Sequence, residues 1–67
     1  MTLKDFLDAV TLAKNQHIKL YDSDMKQFMV LNYGKRPDSA NILNSSVIVV
    51  AMSGGDTFTV VIGGKHA

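Results

Sequence analysis

Two aspartates two positions apart, Asp22 and Asp24 in the segment YDSD, are the first side chains in the sequence that could bind a hard cation. A calcium-binding loop needs further oxygen ligands and closes with a bidentate glutamate. The chain contains no glutamate, because its acidic residues are all aspartates. We therefore interpret YDSD as a polar turn and predict no metal site.

Nucleophilic chemistry would depend on His17 or His66, since these are the two imidazoles of the chain. A catalytic triad would have to combine His17 with a serine such as Ser23, and the spacing of these residues does not indicate one. The string GKRPDS around Lys35 lacks the earlier glycine and the following Ser or Thr of a phosphate-binding loop. We predict no catalytic residue, no cofactor and no small-molecule substrate.

Length and composition define the class of protein. A chain of 67 residues forms one domain, whose core supplies roughly 3–5 kcal/mol of stability. Cysteine is absent, which excludes disulfides and Cys-ligated zinc. A net charge of +1 argues against a nucleic-acid partner, and 46% hydrophobic residues argue against disorder.

Charged residues interrupt the apolar residues at the N-terminus: Lys4, Asp5, Asp8 and Lys14. They are not compatible with a signal peptide or a membrane span in this segment. We expect a soluble protein with no membrane partner, located in the cytoplasm. The folded domain is expected to cover residues 1–62, followed by a flexible tail over residues 63–67.

The segment TLKDFLDAVTLAKN has the features of an amphipathic helix. Thr2 is a suitable N-cap, Asp5 three residues later completes a weak capping box, and Lys14 would lie near the negative end of the helix. Apolar residues recur at spacings of three and four. This predicted stripe consists of Leu3, Phe6, Leu7, Val10 and Ala13.

The rest of the sequence alternates between strand-like runs and turn residues. The runs are HIKLY, KQFMVLNY, VIVVAM and TFTVVI. The predicted fold class is α+β, with an N-terminal helix packed on one face of a four-stranded, mainly antiparallel β-sheet in the order αββββ.

The turns set which side chains share a face of this sheet. In the last hairpin, a two- or four-residue turn at Gly54-Gly55 places Met52 opposite Thr57. In the first hairpin, a loop of odd length over Ser23-Asp24-Met25, with a bulge or a left-handed residue near Asp24, brings the apolar residues to one side.

These registers divide the sheet into two faces. The predicted core face, to be covered by the helix, consists of Ile18, Leu20, Phe28, Val30, Val47, Val49, Phe58, Val60 and Ile62. The opposite face, called the outer face below, consists of Tyr21, Met29, Leu31, Tyr33, Ile48, Val50, Met52 and Val61, ringed by His17, Lys19, Gln27, Thr57 and Thr59.

Large exposed apolar patches on soluble proteins mark interaction sites. We therefore predict a protein-binding function, with a second copy of the chain, in a homodimer, or another protein covering the outer face. The predicted interface residues are Tyr21, Met29, Leu31, Tyr33, Ile48, Val50 and Met52.

Two other readings of the outer face remain open. The connection from Gly34 to Ser46 could fold back across it, starting a helical turn at Pro37 and using Ile42 and Leu43 as anchors. Alternatively, Tyr21 and Tyr33 could stack on the bases of a single-stranded nucleic acid.

The order of the predicted elements, together with three sequence segments, resembles that of a known class of small proteins. The start MTLKDFL, a strand ending in YD, and the late ILNSSVIVVAMSGGDTFTVVI resemble a class of very small proteins carried by phages and prophages of Gram-positive bacteria, over about residues 1–62. The resemblance implies a phage accessory protein in the host cytoplasm, since some such proteins inhibit host defence proteins by binding them. A structural subunit of a phage particle is the alternative.

Overall fold

The computed structural model describes residues 1–63 of the chain, with Ser53 described by its backbone. The elements in chain order are α1 (Leu3–Ala9), β1 (His17–Tyr21), β2 (Gln27–Asn32), α2 (Ala40–Leu43), β3 (Val47–Ser53) and β4 (Thr57–Ile62). The predicted α+β fold, with an N-terminal helix followed by four strands, is confirmed. The short helix α2 in the long connection is an addition to it.

The sheet has the strand order β2-β1-β4-β3. The two hairpins, β1–β2 and β3–β4, are antiparallel, whereas the central strands β1 and β4 pair in parallel. The sheet is therefore mixed rather than mainly antiparallel. Because the hairpins join through β1 and β4, β2 and β3 become the two edges, and the connection that contains α2 carries the chain from one edge to the other.

Helix α1 begins where the sequence indicates and ends earlier. The backbone N–H of Asp5 donates to Thr2 Oγ1 and the N–H of Thr2 donates to Asp5 Oδ2, both at 3.2 Å, so the predicted capping box is confirmed. The helix ends at Ala9, and Val10 is extended with φ −100° and ψ 130°. Two β-branched residues in a row, Val10 and Thr11, are weak helix formers. The prediction that the helix continues past Ala9, with Lys14 near its end, is wrong.

A single apolar cluster lies between α1 and the sheet. The Phe6 and Phe58 rings pack in a T-shaped arrangement, with 6.4 Å between their centroids and 76° between their planes. Ile18, Leu20 and Val60 of the central strands are fully buried, as predicted for the core face. The buried cluster consists of Leu3, Phe6, Leu7, Ile18, Leu20, Leu31, Ile42, Val60 and Ile62.

The loop of the first hairpin has the predicted odd length. The N–H of Asp22 donates to the carbonyl of Lys26 at 3.0 Å, which encloses Ser23, Asp24 and Met25, and Met25 is left-handed with φ 64°. Asp22 Oδ1 accepts from the N–H groups of Asp24 and Lys26, each at 3.0 Å. The YDSD segment is thus a hydrogen-bonded polar turn, as interpreted.

A bulge directly after this loop reverses the faces of β2. Tyr21 pairs with Gln27 but Leu20 pairs with Met29, so Phe28 is the extra residue. A shift of one residue sends every later side chain to the opposite face. The predicted positions are therefore wrong for β2: Met29 and Leu31 pack in the core, and Phe28 and Val30 are exposed.

The last hairpin also differs from its prediction by one residue. Its loop contains Gly54, Gly55 and Asp56, with φ values of 68° and 79° at the two glycines, so Met52 lies opposite Phe58 rather than Thr57. The face assignments of β3 change accordingly. Val50 and Met52 lie on the α1 side of the sheet, and Val49, predicted in the core, lies on the outer face. A second bulge, at Ile48, keeps Val47 against the core as predicted.

The connection between β2 and β3 does not fold across the outer face. Helix α2 begins after Ser39, whose Oγ accepts from the N–H of Ile42 at 3.4 Å, rather than at Pro37. Ile42 is buried in the core cluster and Leu43 packs against it. Both apolar anchors of the connection therefore lie on the α1 side, and the reading in which they shield the outer face is wrong.

Candidate protein-binding surface

Strand β3 exposes apolar side chains on both faces of the sheet. Ile48, Val49, Val50 and Met52 are each between 45% and 57% exposed. The predicted fold expected one face of this strand to be covered by the helix. Instead, the apolar side chains of β3 form a surface around an edge strand, which we call the β3 surface.

The length of α1 explains this exposure. A helix of seven residues is about 10 Å long and about 10 Å in diameter, so in either direction it covers less than the roughly 14 Å width of four strands at about 4.8 Å spacing. The helix packs on the central strands, where Ile18 and Val60 are fully buried. The end of β3 beyond Ile48 lies outside its cover.

No charged side chain of β3 or of the residues directly flanking it protects this edge. The sequence from Ser39 to Gly55 contains no Asp, Lys or Arg, and β3 contains no proline. Natural proteins usually protect edge strands with Lys, with proline, with bulges or with a covering element. Beyond Val47, the one such feature among the described residues of β3 is the bulge at Ile48, at the start of the exposed run.

The backbone of β3 is paired at its beginning by the N-terminus. The N–H of Val47 donates to the carbonyl of Met1, and the N–H of Leu3 donates to the carbonyl of Ser45, both at 2.9 Å. Thr2 and Ser46 form the bridge between these bonds. Past Val47, residues 1–63 place no backbone partner along the side of β3 that faces away from β4, which we call the open edge.

The orientation of the peptide groups along the open edge follows from one hydrogen bond. The N–H of Gly63 donates to the carbonyl of Ser46 at 2.9 Å. The backbone N–H and C=O groups of every second residue of β4, counted back from Gly63, therefore point toward β3. In an antiparallel ladder, hydrogen-bonded and non-hydrogen-bonded pairs alternate. The N–H and C=O groups of Val50 and Met52 therefore point to the open edge. The hydrogen-bonded pairs with β4 are Val49–Val61, Ala51–Thr59 and Ser53–Thr57.

The structure brings together part of the predicted interface. Ile48, Val50 and Met52 are all exposed on β3, with Val50 and Met52 together on the α1 side of the sheet. Tyr33 is exposed as well, but it follows β2 at the opposite edge. Tyr21 is half-buried on the outer face, where its hydroxyl donates to Gln27 Oε1 at 3.3 Å.

The remaining predicted interface residues, Met29 and Leu31, are not available, because they belong to the core side of β2 and Leu31 is 4% exposed. Sequence reasoning missed Val49, which it placed in the core. The adjacent glycines Gly54 and Gly55 were the signal, since they allow a three-residue loop as readily as a two-residue turn.

The centre of the outer face is less exposed than predicted. Val61 is 3% exposed between its strand neighbours Tyr21 and Val49. The apolar surface of the molecule therefore lies on the edge strands, chiefly on β3 and with a smaller part at Phe28 and Val30 of β2, and not across the middle of the sheet.

A chain of side-chain hydrogen bonds on the outer face joins the starts of β1 and β4. Thr57 Oγ1 donates to Asp56 Oδ1 at 3.1 Å and lies 2.9 Å from His17 Nε2. A carboxylate can only accept, so when the Thr57 hydroxyl donates to Asp56, the matching imidazole tautomer is the one in which His17 Nε2 carries the hydrogen and donates to Thr57. This is the reverse of a nucleophile–base pair, in which the imidazole accepts the hydroxyl proton.

A shallow cleft lies at the opposite edge, between the end of α1 and the residues after β2. Its volume is about 270 Å³, and its lining includes Leu7, Tyr33 and Lys35. Pockets for small molecules usually have roughly 300–1,000 Å³. Arg36 at its rim is already engaged, since its Nη2 lies 2.7 Å from Asp8 Oδ1. That contact, with a weaker one from Lys4, holds the pKa of the Asp8 carboxyl below its ordinary value.

No protein-family model, curated protein or solved structure matches the chain. The resemblance to small phage proteins, the homodimer and the host partner therefore stay predictions. Within residues 1–63, no helix is both long and apolar enough to cross a membrane. The predicted tail is described as far as Gly63, whose N–H pairs with Ser46, and residues 64–67 lie outside the described part.

Proposed function

We propose that this protein is a non-catalytic binding module that engages other proteins by adding a strand to the open edge of β3. The observation that carries the proposal is the exposed apolar run of β3 beside backbone groups of Val50 and Met52 that have no partner within residues 1–63. In strand addition, the main-chain hydrogen bonds supply affinity and alternate side chains supply specificity.

The free energy available from burying the apolar side chains of β3 is large relative to the stability of the domain. Full burial of a Val, Ile or Met side chain contributes about 1.5–3 kcal/mol. The four side chains of the β3 surface are about half exposed, so covering them would contribute roughly 3–6 kcal/mol before the costs of association. This equals the whole expected margin of the fold, roughly 3–5 kcal/mol.

The charge pattern favours a protein over a nucleic acid as the partner. The β3 surface has no cation to contact phosphate, and the net charge of the chain is +1. Methionine suits a conformable protein interface, and Met52 lies on this surface. If the chain acts as a phage accessory protein, a host defence protein is the proposed partner. A subunit of a phage particle would present the same edge to its neighbour.

A random peptide library, selected on sparsely immobilised protein, tests the proposal. We expect enrichment of uncharged peptides rich in β-branched residues, bound by the wild type and lost by Met52→Lys. Asn32→Lys is the matched control, because it adds the same charge at an exposed position of the other edge strand. It should bind the peptides as the wild type does.

Two results would count against strand addition at β3. One is a set of selected peptides that binds wild type, Met52→Lys and Asn32→Lys alike. The other is the absence of enriched peptides together with binding of an oligothymidine that weakens steeply as salt rises, which would favour single-stranded nucleic acid as the ligand.

A further inference from the structure

We propose that a second copy of the chain can occupy the open edge, with two β3 strands pairing antiparallel about a two-fold axis at Ala51. This inference rests on the proposed function, strand addition at β3, with a second copy of the chain supplying the added strand. The geometry of the edge, its lack of charge and the position of its smallest side chain each support this pairing.

Symmetry restricts the possible registers. Two antiparallel strands of one sheet are related by a two-fold axis perpendicular to the sheet, which keeps each side chain on its own face. Directly opposed residues share a face, so one residue must lie opposite the same residue of the second copy, with the axis midway between the two. The candidates within the exposed run are Val49, Val50, Ala51 and Met52.

Hydrogen bonding selects among these candidates. The N–H and C=O groups of Val50 and Met52 point to the open edge. An axis at Ala51 places Val50 opposite Met52 of the second copy, and Met52 opposite its Val50, so both residues of both copies exchange hydrogen bonds. An axis at Val50 would pair Val50 with itself and would place Met52 opposite the bulged Ile48, leaving the groups of Met52 unmatched. The Ala51 register therefore satisfies the most donors and acceptors.

The side chains fit the same register. Ala51 would face itself at a non-hydrogen-bonded site, where Cα atoms are about 4.5 Å apart and a small side chain is accommodated. Val50 and Met52 would cover each other on the α1 side, where both are exposed now. The paired stretch, from Val49 to Ser53, stops short of Val47, whose N–H is already bonded to Met1.

Charge does not oppose the pairing. Like charges directly opposite each other destabilise a strand pair, and residues 39–55 of neither copy would bring a charged side chain to this pairing. The dimer would be an eight-stranded sheet with both α1 helices on one side. Because the paired stretch is short, it would bury less than the roughly 800 Å² per partner of a standard interface, and we expect a dissociation constant on the order of micromolar.

The absence of cysteine from the chain makes disulfide trapping a direct test. At a non-hydrogen-bonded antiparallel pair, the Cα separation lies within the range that a disulfide spans. Under mild oxidation, Ala51→Cys should form covalent dimers at least about tenfold faster than Asn32→Cys, because the effective concentration across an interface reaches millimolar. Asn32→Cys, exposed on the other edge strand, measures random collision. Intact mass and a non-reducing gel identify the product.

The opposite results are equally specific. Equal rates for Ala51→Cys and Asn32→Cys would overturn the second-copy pairing, and faster trapping of Val50→Cys than of Ala51→Cys would overturn the register. If the trapping fails while the library peptides still distinguish Met52→Lys from wild type, the dimer is wrong and strand addition stands. If both fail, the proposed function is wrong as well.

Discussion

The two edge strands of this sheet, β2 and β3, have similar lengths and different attachments to the molecule. β2 places Met29 and Leu31 against the core. In β3, beyond Val47, the apolar side chains remain about half exposed. An edge strand can therefore be held by buried side chains, as β2 is, or chiefly by its backbone ladder, as β3 is.

The flanking segments reinforce the difference. After β2, Arg36 pairs with Asp8 of α1 at 2.7 Å, and Lys26 precedes the strand. Before β3, the carbonyl of Met1 accepts from the N–H of Val47, and the N–H of Leu3 donates to the carbonyl of Ser45; no charged side chain follows in the sequence until Asp56. β2 is thus attached to the core through one of its faces, although Phe28 and Val30 are exposed on the other, whereas β3 is the edge at which we propose that a partner binds.

The largest expected effect tests this difference in stability. Leu31→Ala should lower the free energy of unfolding by about 2–5 kcal/mol, because it leaves a cavity in the core. Met52→Ala removes a similar volume from a half-exposed site and should cost under about 1 kcal/mol in the monomer. Urea denaturation at low protein concentration measures both. Similar losses for the two variants would contradict the distinction between the edges.

The next effect concerns the segment that covers the start of β3. Thr2→Ala removes the N-cap of α1 and should cost about 1 kcal/mol, whereas Thr2→Ser keeps the hydroxyl and should cost far less. Thermal unfolding gives the difference. Because Thr2 also bridges Ser46, hydrogen exchange at Val47 should speed up in Thr2→Ala. Unchanged exchange there would show that the backbone bonds hold this end without the cap.

The smallest expected effect is on the pH dependence of stability. It distinguishes Asp5, which caps the helix next to the segment that pairs with β3, from Asp8, which pairs with Arg36 after β2. Hydrogen bonds from Thr2 lower the pKa of Asp5, and the pairing with Arg36 lowers the pKa of Asp8. A lowered folded-state pKa stabilises the fold above the ordinary aspartate value of about 4, and this contribution disappears as the pH falls through the folded-state value.

Asp5→Asn and Asp8→Asn should each reduce the loss of stability on acidification, measured by denaturation between about pH 6 and pH 2. Salt near 1 M should weaken the Asp8 contribution more, since an exposed ion pair is screened and a capping hydrogen bond is less so. An equal salt response of the two variants would contradict this assignment.

The helix, the strands and the first loop could be predicted because local chemistry decides them. Thr2 and Asp5 define the cap, and the odd loop at Ser23-Asp24-Met25 is required by the apolar pattern near it. The end of α1 was misplaced, since the apolar spacing of Val10 and Ala13 suits a helix although Val10 and Thr11 are β-branched.

The faces of the edge strands could not be predicted, because two bulges and one loop residue decide them. Phe28 and Ile48 are inserted without any proline or glycine that would indicate a bulge. Each inserted residue reverses the side chains beyond it. The parallel pairing of β1 with β4 is a long-range choice that the alternating pattern of either strand does not specify.

The most direct test of the account is a dilution series of the wild type followed by amide NMR. We predict that the Val50 and Met52 amides shift and gain protection from hydrogen exchange as the concentration rises or as a selected strand peptide is added, while amides of β2 stay unchanged. Amides of β2 that respond instead, or Val50 and Met52 amides that stay constant under both conditions, would contradict the claim that the open edge of β3 is where this protein binds.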